Sequence, residues 1–338
     1  MEKIALWWRV IRPHTLFASA APVLVALMLV AQSLHQQRAE QEARQALRQA
    51  QWEVAIAEHN PKLLEGLDVY YAPDGTMKLT DNTREVPRFR WGIALLTLLC
   101  ALALQVFANL VNDVYDYRRG TDTRDRAGFA RALAEGVVSE PQMRRASRMA
   151  LVLAAASGIP LAHAGGAPIF FIGILSILFA WLYTATNHSL SYMGVADIFV
   201  FLFFGVLATL GTAYLQSRQV DWHIVLAGGV NGVISMSVLC INNLRDEEED
   251  RAAGKRTLVV RFGKRAGQAE MIGCALLSLL FAWMAFGLSL PCLVALPMAY
   301  VAWKTLTTTG KPLNRCLVMA GLCNMAYVAL VALQVIIF

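Results

Sequence analysis

Gln105-Val106-Phe107-Ala108-Asn109-Leu110-Val111-Asn112-Asp113-Val114-Tyr115-Asp116 is the stretch that decides the fold. It closes an apolar run beginning near Trp91, and its polar members, Gln105, Asn109, Asn112, Asp113 and Asp116, fall on one side of a helix. A polar stripe on a helix otherwise suited to hydrocarbon has to face the inside of a bundle, because a carboxylate against lipid is costly. A second apolar run ends the same way. Asn231, Ser235, Asn242, Asp246 and Asp250 form its stripe, and Asn-x-x-x-Asp occurs in both, as Asn112 to Asp116 and Asn242 to Asp246. Two acidic clusters at matching depth predict one shared cation site at the mouth of a membrane cavity.

The remainder of the chain fits that reading. Hydrophobic residues make up 57% of 338, which leaves a water-soluble fold no surface on which to place them. The pattern predicts an all-α polytopic membrane bundle of nine transmembrane helices, at about 14–31, 91–112, 146–163, 168–184, 195–215, 222–243, 269–289, 291–306 and 315–337, around a central cavity open to cytoplasm and lipid. With Met1 in the cytoplasm, the cytoplasmic segments carry 21 of the 30 Lys and Arg, the positive-inside pattern of a bacterial inner-membrane protein. Both acidic clusters then face the cytoplasm. The net charge of +6 is mostly this topology signal, so no nucleic-acid partner is implied. The first apolar run follows Trp7, Trp8, Arg9 and Arg12 without a small-residue cleavage site, and reads as a retained helix. The six cysteines lie in apolar segments without CxxC spacing and read as small buried hydrophobes.

Residues 32–90 break the composition. Gln, Ala, Glu and Arg dominate to about His59, as in a solvated helix, with Leu47 and Val54 a heptad apart. Val69-Tyr70-Tyr71, Pro73-Asp74-Gly75 and Met77-Lys78-Leu79 then read as strand, turn and strand. The expectation is a single membrane domain over 1–338, interrupted by an extracytoplasmic insert at about 32–90 whose nine acids and eight bases make it nearly neutral.

Carboxylates paired across a cavity suit Mg²⁺, a hard ion that keeps several waters and bridges protein carboxylates to substrate phosphates. The expected ligand is therefore a phosphorylated lipid. Arg118 and Arg119 follow the first cluster and Lys255 and Arg256 the second, cations placed to hold phosphate oxygens. A solvated loop would explain Asp246-Glu247-Glu248-Glu249-Asp250 taken alone; it does not explain two stripes with Asn at the same offset. Asp197 stands apart, near the start of the fifth predicted helix. It suits either orienting or deprotonating an acceptor hydroxyl, or satisfying helix-terminal amides. His14, His163, His188 and His223 lack metal-ligand spacing.

These residues resemble the UbiA-type intramembrane aromatic prenyltransferases, which carry an Asn-x-x-x-Asp-type motif after the second helix and an Asp-x-x-x-Asp motif after the sixth of nine. Arg12-Pro13-His14-Thr15-Leu16, Asn112 through Asp122, Gly194-Val195-Ala196-Asp197, and Asn242-Asn243-Leu244-Arg245-Asp246 through Leu258 are similar to the branch acting on 1,4-dihydroxy-2-naphthoate. The resemblance covers the chain except about 32–90. It departs at Gly120, where many members place a third Asp and this branch has Asp122 instead. What it implies is Mg²⁺ held by Asp113, Asp116, Asp246 and Asp250, with Asp197 also catalytic. Substrates would meet Arg12, Asn109, Asn112, Tyr117, Arg118, Asp122, Asn242, Asn243, Arg245, Lys255 and Arg256. The implied reaction moves a polyprenyl group from its diphosphate to the dihydroxynaphthoate, with loss of CO₂ and diphosphate, giving a demethylmenaquinone, and Tyr115, Tyr117 and Tyr183 are candidates to stabilise an allylic cation. Other acceptors on the same fold, such as 4-hydroxybenzoate, homogentisate or haem, stay open. A cation transporter is the alternative of a different kind, against which Lys255 and Arg256 argue by repelling a permeating cation. The apolar spans exclude a soluble terpene synthase.

Overall fold

The computed structural model describes residues 2–58, 69–74, 76–79, 85–121, 127–129, 131–185 and 189–338. Asp122, Gly75 and His188 lie outside them. The chain forms two compact units, Val30–Phe89 and the remainder, Met1–Leu29 with Arg90–Phe338.

Elements run in the order α1 (Glu2–Ile11), α2 (Pro13–Ala57), β1 (Val69–Tyr71), β2 (Met77–Leu79), α3 (Trp91–Arg118), α4 (Glu140–Gly165), α5 (Ala167–Leu182), α6 (Leu190–Met193) and α7 (Ala196–Phe201). A π-helical turn, Leu202–Leu207, joins α7 to α8 (Ala208–Ser217). Then come α9 (Trp222–Arg245), α10 (Glu247–Ala252), α11 (Leu258–Phe262), α12 (Lys264–Phe286), a 3₁₀ turn at Leu290–Val294, α13 (Ala295–Thr307) and α14 (Leu313–Ile337).

Among the described residues eight helices are long and apolar enough to cross a membrane, counting α7 to α8 as one and the 3₁₀ turn with α13 as one. The protein is a multi-pass membrane protein. The count of nine expected from sequence is not reached by that measure, because the fourth segment is only the sixteen-residue α5, about 24 Å long where a hydrocarbon core is about 30 Å. Its start is set by Gly166, whose φ of 72° ends α4, and by Pro168 in its own first turn. Ser139 opens α4 as a capping box with Gln142, and the Asp221 carboxylate caps α9 by accepting from the His223 amide at 2.8 Å.

The central post is α9. Of its most apolar stretch 78% is buried, against 22–39% in the other long helices, whose outer faces are left to lipid. Its small residues permit close approach. A β-carbon on Gly205 of the π turn would stand 2.5 Å from the Gly232 Cα and 2.6 Å from the Gly228 carbonyl oxygen, so glycine is required where the two helices cross. On the far side α9 packs against α12 and α14, where Cys240, Cys274, Cys316 and Cys323 are buried hydrophobes, as the sequence suggests.

In the unit Val30–Phe89, β1 and β2 form the expected antiparallel hairpin, Val69 opposite Leu79 and Tyr71 opposite Met77. The Asp74 carboxylate accepts from the Thr76 amide at 2.9 Å and hydroxyl at 2.5 Å, and these bonds hold it below the usual carboxylate range. Leu47 and Val54 are exposed.

Candidate active site

The stripe on α3 is tied to the start of the chain. Asn109 donates to the Ile11 carbonyl at 3.1 Å and the Thr15 hydroxyl at 2.8 Å, and accepts from Gln105 at 3.2 Å. The Arg12 backbone takes φ = 55°, and its guanidinium pairs with Asp113. Arg131, from the loop before α4, reaches the same Asp113 oxygen at 3.6 Å. One turn further on, Asp116 is buried and its Oδ1 has no hydrogen-bond partner among the described residues.

The second stripe ends in a local fold of α9, α10 and the turn after it. Arg245 forks onto Asp246 at 2.6 and 2.7 Å and donates to Asn314 at 2.8 Å; Asn314 in turn donates to the Ala127 carbonyl at 3.1 Å. Asp250 follows one turn later. Gly254, at φ = 75°, lets the chain reverse so that the Lys255 amide donates to the Asp250 carbonyl and its ammonium meets the Asp250 carboxylate, both at 2.9 Å. Burial raises the Asp250 carboxyl above its ordinary range, Lys255 opposes the rise, and the charges of Asp246 and Asp116 add to it. Those two acids come from different helices, so the clusters share one electrostatic neighbourhood.

They also share a cavity of about 460 Å³. Of the residues expected at the site, Arg12, Asn109, Asn112, Asp116, Asp197, Asn242, Asn243, Arg245, Asp246, Asp250 and Lys255 line it. Asp113, Tyr117, Arg118 and Arg256 do not. The Asp113 carboxylate is claimed by two guanidiniums, while Tyr117 is exposed and Arg118 is paired with Glu140 at 2.7 Å. The Arg256 side chain is exposed, and its carbonyl packs where a β-carbon on Gly194 would stand.

Sequence reasoning missed Arg131, which lines the cavity from a loop without periodicity, and Glu270 of α12, whose carboxyl lies within electrostatic reach of Asp197. Below the charged mouth the wall is aromatic. Phe179 stacks on Phe203 at 4.6 Å and meets Tyr183 edge-on at 5.8 Å. Tyr183 lies within electrostatic reach of Asp116, Asp197, Asp250 and Lys255, whereas Tyr115 sits under the Arg118 guanidinium instead.

Among the described residues no three His, Cys, Asp or Glu side chains converge closely enough to hold an ion unaided. The donor set still suits Mg²⁺. The ion takes few protein carboxylates and completes its shell with water and phosphate oxygens, and the buried Asp116 Oδ1 has no partner among the described residues.

Fold and cavity together define a membrane-embedded helical bundle with an acidic mouth over an apolar, aromatic interior. The chain belongs to the UbiA prenyltransferase family, whose model matches residues 84–332. A 1,4-dihydroxy-2-naphthoate octaprenyltransferase of Haemophilus influenzae is 38% identical over 192 residues, 55% of this chain and 62% of that one. One from Mycobacterium leprae is 33% identical over 252 residues, 72% of this chain and 84% of that one. The chain thus spans under two thirds of the first relative and most of the second. A structure of a UbiA homolog from Archaeoglobus fulgidus bound to GPP and Mg²⁺ superposes with a TM-score of 0.59 at 16% identity, covering 98% of this chain and 99% of that one, a likeness of fold.

Proposed function

We propose that the protein transfers a polyprenyl group from a polyprenyl diphosphate to 1,4-dihydroxy-2-naphthoate, releasing diphosphate and CO₂ and giving a demethylmenaquinol, the reduced form of a demethylmenaquinone. The observation that carries this reading is the joint lining of one cavity by Asp116 from α3 and Asp246 and Asp250 from α9 and α10, above an aromatic wall. The names of the relatives in Haemophilus influenzae and Mycobacterium leprae support the acceptor, and the GPP and Mg²⁺ of the archaeal homolog support the donor and cofactor.

Bound Mg²⁺ supplies Lewis-acid neutralisation of the diphosphate leaving group. Asp116, Asp246 and Asp250 would hold it, and Arg245 and Lys255 place positive charge where phosphate oxygens gather. As the bond between the prenyl carbon and the diphosphate oxygen breaks, the electron pair leaves with diphosphate. The π faces of Phe179, Tyr183 and Phe203, which line the cavity, would stabilise the allylic cation. Asp197 would orient the acceptor and take its hydroxyl proton as the ring carbon bonds to the prenyl carbon. Loss of the ring carboxylate as CO₂ restores aromaticity.

We place Met1 and the acidic mouth on the cytoplasmic side of a bacterial inner membrane, from the basic short loops, and read about 32–90 as an extracytoplasmic insert in a single membrane domain. The test is purified protein with radiolabelled polyprenyl diphosphate and a panel of aromatic acids, with and without Mg²⁺. Transfer to 1,4-dihydroxy-2-naphthoate that EDTA stops is the expected result. Transfer only to another acid, or none, overturns the assignment.

A further inference from the structure

Asn231 and Asn324 meet across the seam between α9 and α14, the Asn231 amide donating to the Asn324 oxygen at 3.2 Å, and both side chains are fully buried. Capacity is left over on each. Asn231 Oδ1, Asn324 Nδ2 and, one turn along α9, Ser235 Oγ are buried without a hydrogen-bond partner among the described residues. Turning both amides end for end leaves the same inventory, one carbonyl and one NH₂ unclaimed. Ser235 and Asn324 line the same cavity as the acids. None of the three side chains is charged, so the niche suits a neutral hydroxyl or carbonyl and not a phosphate, a carboxylate or a metal ion.

Its depth is fixed twice. At the mouth Arg245 of α9 donates to Asn314 of α14. Ser235 lies ten residues from Arg245, and Asn324 ten from Asn314, about 15 Å along each helix at 1.5 Å per residue. A diphosphate held at the mouth leaves its prenyl carbon part of the way down. An acceptor ring in reacting contact with that carbon, at about 3–3.5 Å, carries its far substituent deeper still.

Resting on the function proposed above, we infer that Asn231, Ser235 and Asn324 form a hydrogen-bonding niche for the far hydroxyl of a para-dihydroxy aromatic acceptor, and that this niche sets the preference for two hydroxyls over one. A site built to bond a hydroxyl rejects the analogue lacking it, because its own buried groups are then left unpaired.

Equilibrium binding tests this without turnover. Quenching of naphthoate fluorescence is measured on the purified protein, donor absent, for 1,4-dihydroxy-2-naphthoate and for the two analogues that each lack one hydroxyl. The wild type should bind the dihydroxy compound about tenfold or more tightly than one of the analogues. In Ser235→Ala and Asn324→Ala that ratio should fall towards one, with the KM for prenyl diphosphate unchanged. Ser235→Ala removes a single hydroxyl from a helix and carries the test alone if Asn324→Ala does not fold. An unchanged ratio in a folded variant overturns the niche and leaves the proposed function standing. Wild-type protein that neither binds nor prenylates the dihydroxy acid overturns both.

Discussion

Arg245 lays its guanidinium across both carboxylate oxygens of Asp246, its neighbour in sequence, at 2.6 and 2.7 Å, with both side chains buried. A cation arriving at Asp246 has to share that carboxylate, so the arginine fixes where the acid points before any ligand enters.

Removing one partner of such a pair strands the other. Arg245→Ala is expected to destabilise the protein by about 3–5 kcal/mol, and the double variant with Asp246→Ala should recover part of the loss. Thermal melts of the four proteins in detergent give the coupling. Strict additivity would show that the fork contributes nothing.

The two acids of the first cluster should behave differently. Asp116→Asn and Asp246→Asn are expected to abolish turnover and the stabilisation by Mg²⁺ and a prenyl diphosphate analogue. Asp113→Asn should keep that stabilisation and lower thermal stability, because Asp113 serves Arg12 and Arg131. Loss of the Mg²⁺ response in Asp113→Asn would restore it to the ligand set.

Gly205→Ala should destabilise by about 1–3 kcal/mol, since the added methyl meets backbone rather than a side chain that can turn aside. Gly273→Ala, with nothing within 4 Å of the new carbon, is the control and should be neutral or stabilising. Equal melting shifts for the two would refute the crossing contact as the cause.

Topology is open to labelling. Five native cysteines are buried and Cys100 is half-buried, so background is low. A cysteine replacing Pro73 should react with an impermeant maleimide in intact spheroplasts. Reaction only after permeabilisation would invert the orientation.

Both stripes were legible because a period of 3.6 puts Asp116 under Asn112 and Asp246 under Asn242, and those four residues all line the cavity. The same periodicity could not exclude Asp113, which shares the face but is taken by arginines from two other segments. Tyr117 and Arg118 do not line the cavity for a related reason: the last turn of a helix points around the rim, and adjacency in sequence does not say which residues turn inward. Arg131 and Glu270 come from a loop and from an otherwise apolar span, and only the fold brings them to the site.

The shortness of α5 has a consequence for the membrane itself. A sixteen-residue helix spans about 24 Å, and a bilayer of ordinary thickness must thin or pucker beside it. Only Ile169, Phe179 and Ala180 of that helix are buried, and Phe179 belongs to the aromatic wall of the cavity. Hydrophobic mismatch therefore acts directly on the wall that flanks the cavity, and acyl-chain length in the surrounding lipid becomes a control on the shape of that wall.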